Sequence, residues 1–514
     1  MKGVWVIDFG SQYTQLITRK CREIGYKSLI FTVEDAISNF QQNNFPDAII
    51  LSGGPQSVFE DQTDFSHFFN KNIPVLGICY GLQIMAHYFG GTVERGQQGE
   101  YGHAIIKSIN EFKISTIPNH FKVWMSHFDH VKKVPEGFKT IFASENNITA
   151  GILDIKNKRM GLQFHPEVNH SDYGQELLTY FFQEIAALKP DWNDKNQLDE
   201  CLQSISHVKG KKVLCAFSGG VDSLVAATLA HKIIGSDLYC FFVDQGLLRP
   251  QDHAHIQLLK KEMPLNIEIL DVREIFLSNL EGIHDPERKR KIIGKTFIDV
   301  FEEQVHHYEK THQIKFEYLL QGTLYPDVIE SISPHHKDGK SHTIKSHHNV
   351  GGLPERMNLK LVEPLRFMFK DEVRKVGLQL GLKKEWLYRH PFPGPGIGVR
   401  VLGEIKRESI LKVQLSDQIL HEELLKDNLY NNCWQAFTVL LPVKTVGVKG
   451  DARAYEEVIC LRVVNSTDGM TADWTELPFS FLAKVSRRIT NEVAGVTRVV
   501  YDITAKPPGT IEWE

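Results

Sequence analysis

No run of this chain approaches the roughly 18 consecutive apolar residues a membrane-spanning helix needs. The opening MKGVWVIDFG reads as a strand in place of a secretion signal, so a cytoplasmic address and no membrane partner are expected. Cysteine is sparse, seven in 514 residues with no C-x-x-C spacing, which argues against a disulfide framework and a cysteine-rich zinc site. Charge of one sign is also lacking. With 59 Lys and Arg against 63 Asp and Glu, the formal net charge is -4, so no global electrostatic pull on nucleic acid exists and no nucleic-acid partner is expected. Internal repeats and low-complexity segments are absent as well. What remains is a chain 42% hydrophobic and 24% charged, of ordinary globular composition and too long for one core.

The pattern along the chain predicts three domains. Residues 1–189 alternate short apolar runs (VWVI, DAIIL, PVLGI, MGLQF) with helical stretches, the rhythm of an α/β domain around a largely parallel sheet. The polar KPDWNDKNQ then reads as a linker with a boundary near Pro190. From Lys211 the rhythm restarts with KKVLCAF, a Gly-rich loop, a helix and DLYCFFVD, a second α/β domain over 190–389. HPFPGPGIG interrupts regular structure. Beyond it, 390–514 mixes the strands EVICLRVV and TRVVYDI with the helix SFLAKVSRRITNEVA, a smaller α+β domain.

Cys79 lies in PVLGICYGLQIMA, after a strand and before a helix, where Gly77 and Gly81 permit the tight turn that exposes a nucleophile above a sheet edge. Taken alone, a buried structural cysteine is the competing reading. His165 and Glu167 stand in GLQFHPE, with Pro166 excluding helix, so the two side chains are expected on one side of an extended segment. Glu167 then orients His165, and His165 serves the thiol as base. In LSGGPQSV, Gly53 and Gly54 follow a strand and can offer backbone N–H groups to a tetrahedral oxyanion. These strings, in this order, resemble the class I, triad-type glutamine amidotransferases. The resemblance implies a Cys79–His165–Glu167 triad, an oxyanion hole from Gly54 and the Tyr80 backbone, and glutamine contacts from Gln83 and the WMSH segment. One departure is Phe128 in WMSHFD, where relatives usually carry Gly.

AFSGGVDS follows a strand and precedes a helix, so Gly219, Gly220 and the helix start at Val221 can aim N–H groups at an anion, with Ser218 and Ser223 adding hydroxyls. Asp222 would repel bare phosphate but can help hold Mg²⁺ beside pyrophosphate. The Lys of the G-x-x-x-x-G-K-[ST] loop is missing, which counts against γ-phosphoryl transfer. This loop resembles that of the N-type ATP pyrophosphatases, which attach AMP to a carbonyl oxygen. FVDQGLLR is similar to their next motif, and it assigns Asp244 to the adenosine side. The segment 326–352 has five His and three Lys with few apolar anchors. It is expected to be a mobile loop, open to readings as a solvated surface, a His-rich metal site or a lid in which Asp327, Glu330, Lys345, His347 and His348 close over pyrophosphate.

The fusion of the two machineries, followed by HPFPGPG, KTVGVKGDAR and KPPGTIEWE, resembles the glutamine-hydrolysing GMP synthetases over nearly the whole chain. That resemblance implies ATP, Mg²⁺, glutamine and XMP as the small molecules used, Lys506, Glu512 and Arg290 as XMP contacts, and a homodimer through the third domain. The competing reading of ERKRK around Arg290 is a solvated helix face. NAD synthetases usually carry a different glutaminase, so FHPE counts against them. A tRNA thiolase would need a catalytic Cys beside the pyrophosphate loop and a basic surface. A non-catalytic scaffold would not need an intact triad string. Free ammonia is mostly ammonium at neutral pH, so a protected transfer is expected.

Overall fold

The computed structural model describes residues 2–61, 63–109, 112–332, 358–449, 452–466 and 471–514. The chain divides into two compact units. Unit 1 is Met1–Gln197 together with the helix Tyr325–Ile332, and unit 2 holds Leu198–Leu324 and the chain beyond the histidine-rich segment.

Unit 1 is built on nine strands: β1 (Val4–Asp8), β2 (Ser28–Thr32), β3 (Ala48–Leu51), β4 (Val75–Ile78), β5 (Thr92–Ser108), β6 (His120–Lys133), β7 (Lys139–Ser144), β8 (Thr149–Asp154) and β9 (Arg159–Leu162). Their spatial order is β2-β1-β3-β4-β9-β8-β7-β5-β6. Pairing is parallel from β2 to β9 and antiparallel from there to the β5–β6 edge. The short apolar runs form the central strands because both faces are covered: β3 and β4 are buried at every position. Full burial of a side chain such as Ile50 or Leu76 contributes about 1.5–3 kcal/mol relative to exposure.

Unit 2 contains a five-stranded parallel sheet, β10 (Val213–Ala216), β11 (Leu238–Asp244), β12 (Asn266–Asp271), β13 (Tyr318–Leu320) and β14 (Lys360–Val362), in the order β12-β11-β10-β13-β14. It also contains a second sheet in which β15 (Gln435–Lys449) and β16 (Ala452–Asn465) form a long antiparallel hairpin, flanked by β17 (Asp473–Trp474) and β18 (Val496–Tyr501). One apolar core is continuous from Leu214 and Phe241 under the first sheet to Ile459 and Val485 under the second. HPFPGPGIG therefore crosses this core as a short turn, with Ile397 fully buried, and does not end it.

The loop expected from residue 326 does not start there. Residues Tyr325–Ile332 form a helix, because Tyr325 and Val328 are buried and anchor it. Within unit 1 the Tyr325 hydroxyl meets the Ile30 amide, and the Arg22 guanidinium lies 5.0 Å from the Tyr325 ring. Among the described residues no helix is long and apolar enough to cross a membrane.

Candidate active sites

In unit 1, β3, β4 and β9 are parallel neighbours, so the loops at their carboxyl ends emerge at one edge of the sheet. Gly53 and Gly54 follow β3, Cys79 follows β4, and His165 follows β9. Strings far apart in sequence converge for that reason.

Cys79 has φ 53° and ψ −104°, a region disfavoured for residues with a side chain. The turn is tight: a Cβ on Gly77 would lie 2.5 Å from the Gly81 oxygen, and one on Gly81 would lie 2.3 Å from the Leu51 oxygen. Only glycine fits either position. The helix Tyr80–Tyr88 starts directly after the thiol. Its first N–H groups have no partner inside the helix. Cys79 Sγ lies 3.6 Å from the Ser126 carbonyl and 3.8 Å from Gln163 Nε2.

His165 Nδ1 is 2.7 Å from Glu167 Oε1, and both residues are buried. The chain turns at Pro166 and Glu167, beyond the end of β9. The extended segment expected there is replaced by a turn, which still brings the two side chains together. Burial pushes the His165 pKa down, yet the Glu167 carboxylate and the hydrogen bond with Cys79 outweigh it and hold the ring well above its ordinary value. The imidazole is fixed further by Tyr13, packed edge-on at 5.0 Å, and by Ser171, whose hydroxyl donates to the His165 carbonyl at 2.6 Å. A Cβ on Gly53 would sit 3.2 Å from His165 Cε1, so this glycine lies directly against the His165 ring.

Gln83 donates to the Asp129 carbonyl at 2.7 Å, and Ser57 donates to the Asp129 carboxylate at 2.6 Å. These bonds tie the β6 segment carrying WMSHFD to both loops. Tyr80 is anchored through its hydroxyl to Asp61 at 2.7 Å. Phe128 is 48% exposed and packs over Gly99, so the ring that replaces glycine leans outward.

In unit 2, β10 lies between β11 and β13, where the strand order reverses. Ligands of open parallel sheets bind at such a point. The loop at the end of β10 carries Ser218, Gly219 and Gly220, and the helix Val221–Ile234 follows. Ser218 Oγ lies 3.0 Å from Ser223 Oγ, and Ser223 donates to the Gly220 carbonyl at 3.0 Å, so the loop is preshaped. Gly219 has φ +71°, and a Cβ there would meet Ile256 at 2.1 Å. Gly322, on the loop after β13, approaches so closely that its Cβ would lie 2.8 Å from the Asp222 carbonyl carbon.

Asp222 Oδ2 faces Lys370 Nζ at 3.4 Å, while Asp222 Oδ1 is buried with no hydrogen-bond partner. An orphaned carboxylate oxygen beside a Gly-rich loop is of the hard-oxygen type that suits a Mg²⁺ ligand. No cluster of three metal-ligating side chains occurs among the described residues. Asp244 accepts from the Gly246 amide at 3.0 Å and lies 3.5 Å from His253 Nε2. It lines a 460 Å³ cavity with Arg249, Arg273 and Gln414, whose lining does not include the Ser218–Ser223 loop.

Of the residues assigned to the acceptor, Glu512 is held by Arg400 at 2.9 and 3.2 Å and by Gln435 at 2.9 Å. Lys506 exchanges two backbone hydrogen bonds with Ala472. Arg290 pairs with Glu287 at 2.8 Å, and its charge also acts on Glu514. The neighbouring Lys289 is fully buried and donates to Glu514 Oε2 at 2.5 Å. Asp327 and Glu330 lie on the helix Tyr325–Ile332, and Lys345, His347 and His348 lie outside the described residues. Sequence reading missed Lys370, Arg400, Gln435 and Lys289. No motif surrounds any of the four in the sequence.

Known proteins match over the same regions. The class-I glutamine amidotransferase family model covers residues 5–185, the NAD synthase model 195–301 and the GMP synthase C terminal domain model 422–513. A GMP synthase [glutamine-hydrolyzing] of Chlorobium phaeovibrioides is 51% identical, covering 100% of both chains. The chain belongs to the glutamine-hydrolysing GMP synthases. Enzymes of the same name from Chlorobaculum tepidum and Thermosipho africanus are also 51% identical, covering 100% of this chain and 99% and 100% of their own lengths. The NAD synthase likeness stops at residue 301, within the part of this GMP synthase family member that carries the SGGVDS loop.

Proposed function

We propose that unit 1 hydrolyses glutamine at Cys79 and that unit 2 uses ATP to activate XMP for amination, giving GMP, AMP, pyrophosphate and glutamate. The observation that carries this reading is the Cys79–His165–Glu167 alignment in a chain that also bears the SGGVDS loop and full-length likeness to GMP synthases.

Cys79 Sγ attacks the glutamine amide carbon. The oxygen that becomes negative turns toward the Gly54 and Tyr80 amides, with Gly53 leaving room, and Gln83 supports the glutamine-contacting segment. His165 passes a proton to the departing nitrogen, ammonia leaves, and water hydrolyses the thioester to glutamate. In unit 2 the XMP C2 oxygen attacks the α-phosphorus of ATP and pyrophosphate departs. Ammonia then adds at C2 and AMP leaves with the oxygen. Ser218, Gly219, Gly220, the Val221 amide and Ser223 cradle the pyrophosphate, and Lys370 adds a cation. Asp244 stands on the adenosine side. Mg²⁺ held by Asp222 would neutralise charge on the departing phosphates.

Arg290, Lys506 and Glu512 serve XMP. Arg400 and Gln435 join this set through Glu512, because planar donors and acceptors suit a planar polar base. The protein works as a homodimer in the cytosol. Supporting the dimer are Val446, Val448 and Tyr455, which leave an apolar strip exposed on the β15–β16 hairpin. The test supplies ATP, Mg²⁺ and glutamine with XMP, or with deamido-NAD or UTP. GMP from XMP alone supports the reading, and an aminated product only from another acceptor refutes it.

A further inference from the structure

Unit 2 contains a chain of alternating charges that no sequence motif announces. Its order is Arg389, Asp252, Arg249, Asp417, Arg400 and Glu512. Asp252 takes Arg389 at 2.5 Å and Arg249 at 2.6 and 3.0 Å. Asp417 stands 3.7 Å from Arg249 and 3.9 Å from Arg400, and Arg400 closes on Glu512 at 2.9 Å. Three cations and three anions alternate, so the chain neutralises itself. Its middle is fully enclosed: Arg249, Asp417 and Arg400 are 5%, 2% and 0% exposed.

Both ends meet functional segments. At one end Asp252 shares a helix with the buried His255 and with Ile256. Ile256 packs where any Gly219 side chain would go. At the other end Glu512 belongs to the KPPGTIEWE tail. Asp417 is further fixed by the Thr438 amide at 3.1 Å and by Gln251 at 3.2 Å. Gln251 lies on the helix of Asp252, so that helix reaches Asp417 by two routes.

We propose that Asp417 and Asp252 are positioning residues that hold Arg400 and Glu512 for the acceptor and tie that pocket to the pyrophosphate loop. Removing a surface ion pair changes little, but here Asp417 separates two enclosed arginines. Without it, Arg249 and Arg400 repel each other, and Arg400 settles in a different place relative to Glu512. The consequence belongs to substrate geometry as well as to stability. The inference rests on the reading of Glu512 as an acceptor contact.

The test measures steady-state GMP formation with ammonium as the nitrogen source, which leaves Cys79 out of the reaction. Asp417→Asn is expected to raise the XMP KM about tenfold or more, with the ATP KM within about threefold of the parent. Asp252→Asn, at the end that meets the Gly219 loop, is expected to raise both. Gln251→Leu removes one support of Asp417 without unbalancing the charges, so it remains informative if Asp417→Asn fails to fold. It is expected to raise the XMP KM about threefold. A merely structural role would lower Vmax through loss of folded enzyme and leave both KM values unchanged, and that outcome overturns the proposal. Glu512→Gln separates the two readings. An unchanged XMP KM in Glu512→Gln refutes the acceptor assignment itself, whereas a raised value there with unchanged values in Asp417→Asn and Gln251→Leu refutes only the charge chain.

Discussion

Cys79 is held in a backbone conformation that a non-glycine residue adopts at a cost of about 1–3 kcal/mol, and Gly77 and Gly81 make the turn that imposes it. Glu167 holds the His165 ring through a 2.7 Å hydrogen bond. Glu167→Gln is expected to lower glutamine-fed GMP formation by roughly 10²- to 10⁴-fold, with ammonium-fed synthesis retained, as read by comparing the two nitrogen sources. An equal fall with both sources would remove Glu167 from the glutaminase role. The cluster of Cys79, His165 and Glu167 was legible because each member sits in a short string whose backbone demands are local: glycines around the thiol, and a proline between the histidine and the glutamate. Arg400, Gln435 and Lys370 were not legible, because each meets its partner across 77 to 148 residues. Nothing within a few positions of an arginine signals a carboxylate 112 residues away.

At the level of elements, parallel strands ending side by side bring the strings together, and glycines set how closely the loops approach. Gly322 is the sharpest case, because the loop after β13 presses on the first turn of the helix Val221–Ile234. Gly322→Ala would force that contact apart. We expect ATP-dependent synthesis to fall at least about tenfold with either nitrogen source, while glutaminase activity measured as glutamate release per folded unit 1 stays intact. Normal synthesis in this variant would show that the loop tolerates displacement. Apolar runs with both faces covered made β3, β4, β10 and β11 readable from sequence. The long β5–β6 and β15–β16 hairpins were harder, since their mixed polar and apolar positions serve one covered face and one open face. The helix Tyr325–Ile332 was missed because its anchors, Tyr325 and Val328, are few and sit beside a polar tract.

For the whole molecule, acid stability and assembly are the properties to examine. Burial holds His255 and His390 down to about 4 from an ordinary 6.5, so both are neutral in the fold. Between those values the unfolded chain binds protons that the folded one refuses, so stability is fully present above about 6.5 and is lost as pH falls toward 4. The melting temperature should therefore drop across that window, and His390→Gln should flatten the drop. A melting curve insensitive to pH there would contradict the burial argument. Sedimentation at micromolar concentration should give a dimer, and Val446→Glu with Val448→Glu, on the exposed hairpin strip, should shift it to monomer.

The most direct test of two chemistries in one chain is Cys79→Ala assayed with XMP, ATP and Mg²⁺. The account predicts no GMP from glutamine and parent-like GMP formation from added ammonium, because activation of XMP does not involve the thiol. Loss of synthesis from both nitrogen sources in folded protein would contradict it.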